Sequence, residues 1–262
     1  MIVGILGYGT LGRAIAAGLH EHDAVASVIA TTRRGFAPGD DARVEAPADN
    51  LELARSADVI LVCVKPFQVE GVLTPVASAL RPEQLVISCA ASVSTAQVRA
   101  WTGDRVPVIR AMPNMPCRIR EGMTVLAAGS GATAAHVALA ESLFATLGLT
   151  ATIDERLMDA ATGISGCGPA YAYVIIEALS DAGVKLGLPR AIARTLVAQT
   201  ILGSAKMVLE SDIHPAALKD EVTTPAGCTT DALMELEDGK IRHTLLRAAV
   251  AAAERSAKLA SG

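Results

Sequence analysis

Ile2-Val3-Gly4-Ile5-Leu6-Gly7-Tyr8-Gly9-Thr10-Leu11-Gly12 decides the fold of the first half of this chain. The apolar run Ile2–Leu6 reads as a buried strand, and residues 10–20 read as a helix. Between them lies the spacing Gly-x-Gly-x-x-Gly, in the strand–turn–helix context that this motif needs. Gly7 allows the tight turn, Gly9 lets the backbone approach a pyrophosphate, and Gly12 lets the helix pack close to the strand. Thr10 and Leu11 fall in the first helical turn, whose N–H groups suit an anion. The expectation is a dinucleotide-binding domain of Rossmann type.

Further apolar runs continue the pattern of a parallel α/β sheet. Val25–Ala30 reads as the second strand and Asp58–Val64 as a third, too apolar on both faces for a surface sheet. Leu85–Cys89, Val106–Arg110, Val125–Ala128 and Leu149–Ile153 read as later strands, with a helix at 133–146. From about residue 155 strand signals stop. Residues 169–183, 189–210 and 242–260 are Ala-rich and helix-like, apolar on more than one face, and such helices need neighbours to cover them. The division expected is 1–154 for an α/β cofactor domain and 155–262 for an all-α domain that carries substrate residues and dimerises.

Composition narrows the function. The 262 residues are 51% hydrophobic and 19% charged, which supports a large core. Aromatic residues make up only 3%, and the net charge is −4, so neither stacking nor a basic face points to nucleic acid. No continuous apolar run reaches the roughly 18 residues of a membrane span. The chain enters its first strand at Ile2 without a leader-like stretch, and a cytoplasmic protein is expected. Cys63, Cys89, Cys117, Cys167 and Cys228 form no Cys-x-x-Cys pair, so neither a disulfide framework nor a metal site is indicated. His20 and His22 read as solvated helix-end residues.

A site selective for NAD usually places an acid at the end of the second strand to hold the ribose hydroxyls. Here that strand ends Ala30-Thr31-Thr32-Arg33-Arg34, with no acid between Asp23 and Asp40. Hydroxyls and a guanidinium suit a 2′-phosphate, so NADP(H) is preferred, with NAD(H) as the alternative. Ligands of doubly wound sheets lie beyond the carboxyl ends of the strands. That places Val64, Lys65 and Pro66 on the cofactor side, together with Ala90, Ala91 and Asn114. The small residues at 89–91 leave room for a nicotinamide or ribose.

Residues 214–231 (His-Pro-Ala-Ala-Leu-Lys-Asp-Glu-Val-Thr-Thr-Pro-Ala-Gly-Cys-Thr-Thr-Asp) run from a short helix through a turn into a second helix start. Backbone N–H groups at such a start suit a carboxylate or phosphate. A capped helix after a turn would account for the loop equally well if it stood alone.

Five segments together resemble pyrroline-5-carboxylate reductases in order and spacing: Gly7–Gly12, Val62–Pro66, Arg110–Pro116, Thr162–Pro189 and the loop at 214–231. The resemblance covers nearly the whole chain. It implies NAD(P)H-dependent reduction of the cyclic imine 1-pyrroline-5-carboxylate to L-proline. It also implies a homodimer, often assembled into a decamer, with each active site drawn from two subunits. By position the family's cofactor contacts fall on Thr31, Asn50, Lys65 and Ala91, and its substrate contacts on Asp212, Glu221, Cys228 and Thr229. The substrate carboxylate is expected on the N–H groups of Gly227, Cys228 and Thr229, and the Thr229 hydroxyl at the imine nitrogen as the catalytic group.

The chain departs from the family at Cys167 (usually serine), Ala226 (glycine), Cys228 (threonine or alanine), Met115 (threonine) and Glu221 (often an amide). These changes motivate a rival reading, reduction of a different cyclic imino acid. A hydroxyacid dehydrogenase would need a catalytic lysine, for which Lys185 is the nearest candidate. A non-catalytic dinucleotide sensor or scaffold is the rival from another class.

Overall fold

A computed structural model describes residues 1–260 except Arg34 and 37–39. The chain divides into two compact units. One holds Met1–Cys167 and the chain from Ala251 on, and the other holds Gly168–Val250.

The first unit is built on an eight-stranded sheet. Its strands are β1 (Ile2–Leu6), β2 (Ser27–Thr31), β3 (Val44–Glu45), β4 (Val59–Val62), β5 (Leu85–Ser88), β6 (Val108–Pro113), β7 (Gly122–Ala128) and β8 (Gly148–Thr152). Their order is β3-β2-β1-β4-β5-β6-β7-β8. The chain leaves β1 toward one edge, then crosses back to place β4 on the other side of β1. This reversal makes the crevice where Rossmann-type sheets bind ligands. β7 runs antiparallel to β6, and β8 is parallel to β7. The expected all-parallel sheet is therefore reversed in its last two strands. Asn114–Gly122 is too short for a crossover helix and turns the chain straight back.

The helices are α1 (Thr10–Leu19), α2 (Asn50–Ser56), α3 (Val69–Leu73), α4 (Thr95–Trp101), α5 (Ala134–Ala145), α6 (Met158–Ala161), α7 (Gly168–Lys185), α8 (Arg190–Glu210), α9 (Pro215–Glu221), α10 (Cys228–Asp238) and α11 (Ile241–Ala260). Apolar residues on both sheet faces dictate two helical layers. Ile15, Leu19, Leu143 and Phe144 of α1 and α5 pack with Ile5, Leu61, Ile87 and Ile109. Leu53, Val69, Leu73 and Val98 of α2, α3 and α4 pack with Leu6, Ile60, Val62, Val86 and Val108. Burying each such side chain contributes about 1.5–3 kcal/mol relative to leaving it in water.

Buried polar groups knit this unit together. Arg110 in β6 is almost fully buried and lies 3.8 Å from Glu155, while its Nε and Nη2 have no hydrogen-bond partner among the described residues. His20 is also largely buried beside Asp41, and burial lowers its pKa. His22 pairs with Ser142 at 3.2 Å. Where the sequence implied solvated helix-end residues, each histidine has a side-chain partner, Asp41 for His20 and Ser142 of α5 for His22.

In the second unit α7 and α8 cross closely, and a Cβ at Gly183 would come within 2.8 Å of the Ala193 Cβ. Ser180 is the buried residue of α7 and Ala193 that of α8. Leu186, Leu196, Leu202, Met207 and Leu209 stand exposed. Among the described residues α8 is long and apolar enough to cross a membrane by length and composition. Four charges (Arg190, Arg194, Lys206 and Glu210) interrupt it, which is why no continuous apolar run marks it in the sequence.

The glycine turn after β1 shows two different steric demands. Gly7 has φ +104°, and a Cβ there would lie 2.7 Å from Val64 Cγ1. A Cβ on Gly12 would run into the Gly7 carbonyl oxygen, whereas one on Gly9 would meet nothing within 4 Å. Gly12→Ala should therefore destabilise the fold by about 1–3 kcal/mol through overpacking. Gly9→Ala should leave the melting temperature within a degree or two and weaken only dinucleotide binding. Thermal unfolding and cofactor titration of both variants check this; an unfolding loss at Gly9 equal to that at Gly12 would refute it.

Candidate active site

A first group of candidate residues gathers at the carboxyl ends of β1, β2 and β4. Gly7 and Tyr8 donate backbone hydrogen bonds to the Thr31 carbonyl, at 3.1 and 2.9 Å, tying the glycine turn to the end of β2. Gly9 is the N-cap of α1 and provides no side-chain cap. The donors at Thr10, Leu11 and Gly12 are thus left for a ligand, and Gly9 and Thr10 are exposed. Open space at Gly9 and uncapped donors behind it are what a pyrophosphate needs.

A cleft of about 670 Å³ opens beside this turn. Gly7, Thr31, Thr32, Arg33, Asn50 and Val64 all line it. Thr31 Oγ1 donates to Asn50 Oδ1 at 2.6 Å. Arg33 is exposed at the cleft, and Arg34 lies outside the described residues. Asp49 also lines the cleft, but its carboxylate caps α2 by accepting from Leu51 and Glu52 at 2.8 Å. Sequence reading missed Phe36, another lining residue. Its ring stacks on Tyr8 at 5.0 Å, and Arg13 lies over the other partner 5.5 Å from the Tyr8 centroid. No spacing rule links Phe36 to Tyr8.

The neighbouring strand ends carry the remaining cofactor candidates. Lys65 and Pro66 are exposed after β4 and open a single 3₁₀ turn, Pro66–Gln68. Ala90 is buried and Ala91 partly so, on the loop after β5. Asn114 is already engaged. Its Oδ1 accepts from Met123 N at 2.9 Å, and its Nδ2 donates to the Ser165 carbonyl at 3.3 Å. The amide that the sequence placed among cofactor contacts serves here to hold the reversal into β7.

Three of the five cysteines converge at these strand ends, a grouping invisible in their spacing. Hydrogen bonding with the Cys63 thiol, then burial, pushes the Cys89 thiol up, and burial raises that of Cys117. Neutral thiols of this kind are small apolar fillers, not nucleophiles. Among the described residues no cluster suits a metal ion.

A second group of candidate residues lies wholly within Gly168–Val250. Ala226 has φ +57°, a left-handed conformation that any Cβ resists, where glycine is the natural occupant. Gly227 follows as the N-cap of α10, and a Cβ there would strike the Thr224 side chain. Its own N–H donates to the Thr224 carbonyl at 3.0 Å. Gly227 therefore shapes the loop but has no donor to give a carboxylate, contrary to expectation. Cys228 and Thr229, the first two helical residues, have N–H groups without a partner among the described residues. Cys228 is exposed and Thr229 half-buried. Glu221 ends α9, and both it and Asp212 are exposed. Lys185 is exposed at the end of α7, far in character from a desolvated catalytic lysine.

Comparison with known proteins agrees with both halves. Residues 155–259 match the family model for pyrroline-5-carboxylate reductase dimerisation. Residues 2–92 match that for NADP oxidoreductase, coenzyme F420-dependent. The pyrroline-5-carboxylate reductase of Pseudomonas aeruginosa is 36% identical over 267 residues, covering 98% of this chain and 96% of that protein. That of Arabidopsis thaliana is 43% identical over 209 residues, covering 79% of this chain and 75% of its own. The crystal structure of Plasmodium falciparum pyrroline carboxylate reductase with NADP bound superposes with a TM-score of 0.88. It shares 32% sequence identity and covers 99% of this chain and 98% of that one. With likeness of this extent along the whole length, this chain belongs to the pyrroline-5-carboxylate reductase family.

Proposed function

We propose that this protein reduces 1-pyrroline-5-carboxylate to L-proline as a homodimer, with NADPH as the preferred hydride donor. Likeness to reductases of that name over nearly the entire chain carries the reading. The residues present fit a nicotinamide dinucleotide, which when bound supplies the hydride that the imine carbon accepts. The glycine turn and the first turn of α1 hold the pyrophosphate. Thr31, Asn50 and Arg33, joined by Arg34, hold the 2′-phosphate, since forked guanidinium bonds to phosphate are charge-assisted.

The substrate needs orientation more than strong acid–base groups. Its imine nitrogen can arrive protonated, so the balance of one hydride and one proton is met without a buried acid. Cys228 and Thr229 N–H groups, at the positive end of the eleven-residue α10, hold the carboxylate. The Thr229 hydroxyl faces the nitrogen, and that hydrogen bond strengthens as the nitrogen becomes an amine. Positioning of this kind supplies most of the rate. The exposed carboxylates of Asp212 and Glu221 complete the substrate loop as its family positions imply.

Dimerisation is supported by the match of residues 155–259 to the dimerisation family model and by the apolar side chains that α7 and α8 leave exposed. A further assembly of dimers into a decamer is the family's pattern. All five cysteines are free thiols, which suits the cytoplasm.

Three outcomes are expected. NADPH titrates more tightly than NADH at fixed ionic strength, and alanine at both Arg33 and Arg34 removes the difference, at about 1.5–3 kcal/mol per charge-assisted bond. Equal affinities in the unaltered protein would refute the preference. In sedimentation the active species is a dimer, and a stable active monomer would remove that part of the reading. With 1-pyrroline-5-carboxylate, NADPH oxidation by Thr229→Ala falls roughly ten- to a hundredfold while Cys228→Ala is mild. Full activity of Thr229→Ala would move the proton donor to water or to the substrate. A panel that includes a six-membered imino acid and a keto acid checks the substrate class.

A further inference from the structure

The loop after β5, Cys89-Ala90-Ala91-Ser92, carries the small residues read as the nicotinamide or ribose contact, and it is held from behind in an unusual way. Ser92 has φ +59°, a left-handed conformation that a serine adopts only when its surroundings compel it. Its hydroxyl donates to the Ser256 carbonyl of α11 at 3.2 Å, across 164 residues of sequence. Ser256 Oγ in turn donates to Asp159 Oδ1 in α6 at 2.7 Å. Both serines are buried.

Two further contacts come from the same short segment. Met158 is fully buried and belongs to the apolar cluster on which Ala91 packs. Glu155 accepts from Thr95 N at 2.7 Å and from Thr95 Oγ1 at 2.5 Å, at the start of α4. Residues 155–159 and 256 thus hold 91–95 at three points. All of them lie in the first compact unit, although 155–259 matches a dimerisation model.

We infer that the two ends of the dimerisation region form a bracket that positions the loop 89–92 for the nicotinamide half of the cofactor, with Ser92, Ser256 and Asp159 as positioning residues. The left-handed turn at Ser92 is the element that the bracket fixes. Without the tie to α11, the loop relaxes toward ordinary backbone angles and Ala90 and Ala91 move. None of these residues touches the adenosine cleft lined by Thr31, Arg33 and Asn50. The inference rests on the dinucleotide reading given above.

Ser92→Ala and Ser256→Ala test it. Alanine at 92 deletes only the hydroxyl tie and keeps the Cβ that resists the left-handed turn, so the loop is free to relax. Alanine at 256 deletes the bond to Asp159. Binding of NADPH is measured beside binding of adenosine 2′,5′-bisphosphate, which carries the adenosine half alone. Both variants should weaken NADPH roughly three- to tenfold, the loss of about one hydrogen bond, and leave the bisphosphate within about twofold. A combined variant should lose less than the product of the two, since the contacts act in series. Unchanged NADPH binding overturns the inference. Parallel weakening of both ligands also overturns it, because that would mean a general loss of structure. Should the unaltered protein bind the bisphosphate but not NADPH, the dinucleotide reading itself falls and the inference with it.

Discussion

Two close approaches leave no room for a side chain at Gly7 or Gly12. The Gly7 carbonyl oxygen occupies the space where a Cβ of residue 12 would stand, and Val64, just past the end of β4, crowds residue 7. This exclusion brings the start of α1 down onto the carboxyl ends of β1 and β4. Everything in the first group of candidate residues is measured from there. The N–H groups of the helix start face out because Gly9, not a capping serine or aspartate, precedes them. The end of β2 is pulled in by hydrogen bonds from residues 7 and 8 to Thr31, and Thr31 then orients Asn50. A chain of short-range contacts thus links the glycine turn to the cleft beside it.

The substrate loop reaches a similar end by a costlier route. There too a helix start is left uncapped, at Gly227, but the turn before it holds an alanine in a left-handed conformation. Such a position costs a residue with a Cβ about 1 kcal/mol. The loop stores strain just ahead of the two donors read as the carboxylate site, a common arrangement where a fixed geometry is worth more than local comfort.

Sequence patterns revealed what depends on neighbours in the chain. The apolar runs located β1, β4 and β5 within a residue or two, because a strand buried on both faces has no other composition open to it. The glycine spacing located the tight turn between β1 and α1, which also depends on neighbours in the chain. Contacts between distant segments left no such mark. The run at 125–128 shows a strand but not its direction, so the reversal at β7 was missed. A two-residue strand such as β3, and the seven-residue α2, are too short for periodicity to show. The convergence of Cys63, Cys89 and Cys117 and the stacking of Phe36 on Tyr8 belong to the same class. Asn114 and Gly227 were placed at the site by position, yet the groups that would have acted there are spent on Ser165, Met123 and Thr224. Residue type alone does not tell whether a donor is free.

The membership of residues from Ala251 onward in the first compact unit has a consequence for how the protein is made. The sheet and both helical layers are complete in sequence by residue 152, and a nascent chain can begin packing them while synthesis continues. The last turns of α11 reach that unit only after the other helices have been made. That unit therefore emerges before the middle helices and is completed after them. Until α11 is made, the ground behind the loop after β5 and behind α6 stays exposed while the apolar flanks of α7 and α8 are already outside the ribosome. Chaperone demand for this chain should concentrate in that interval, after the middle helices emerge and before α11 arrives.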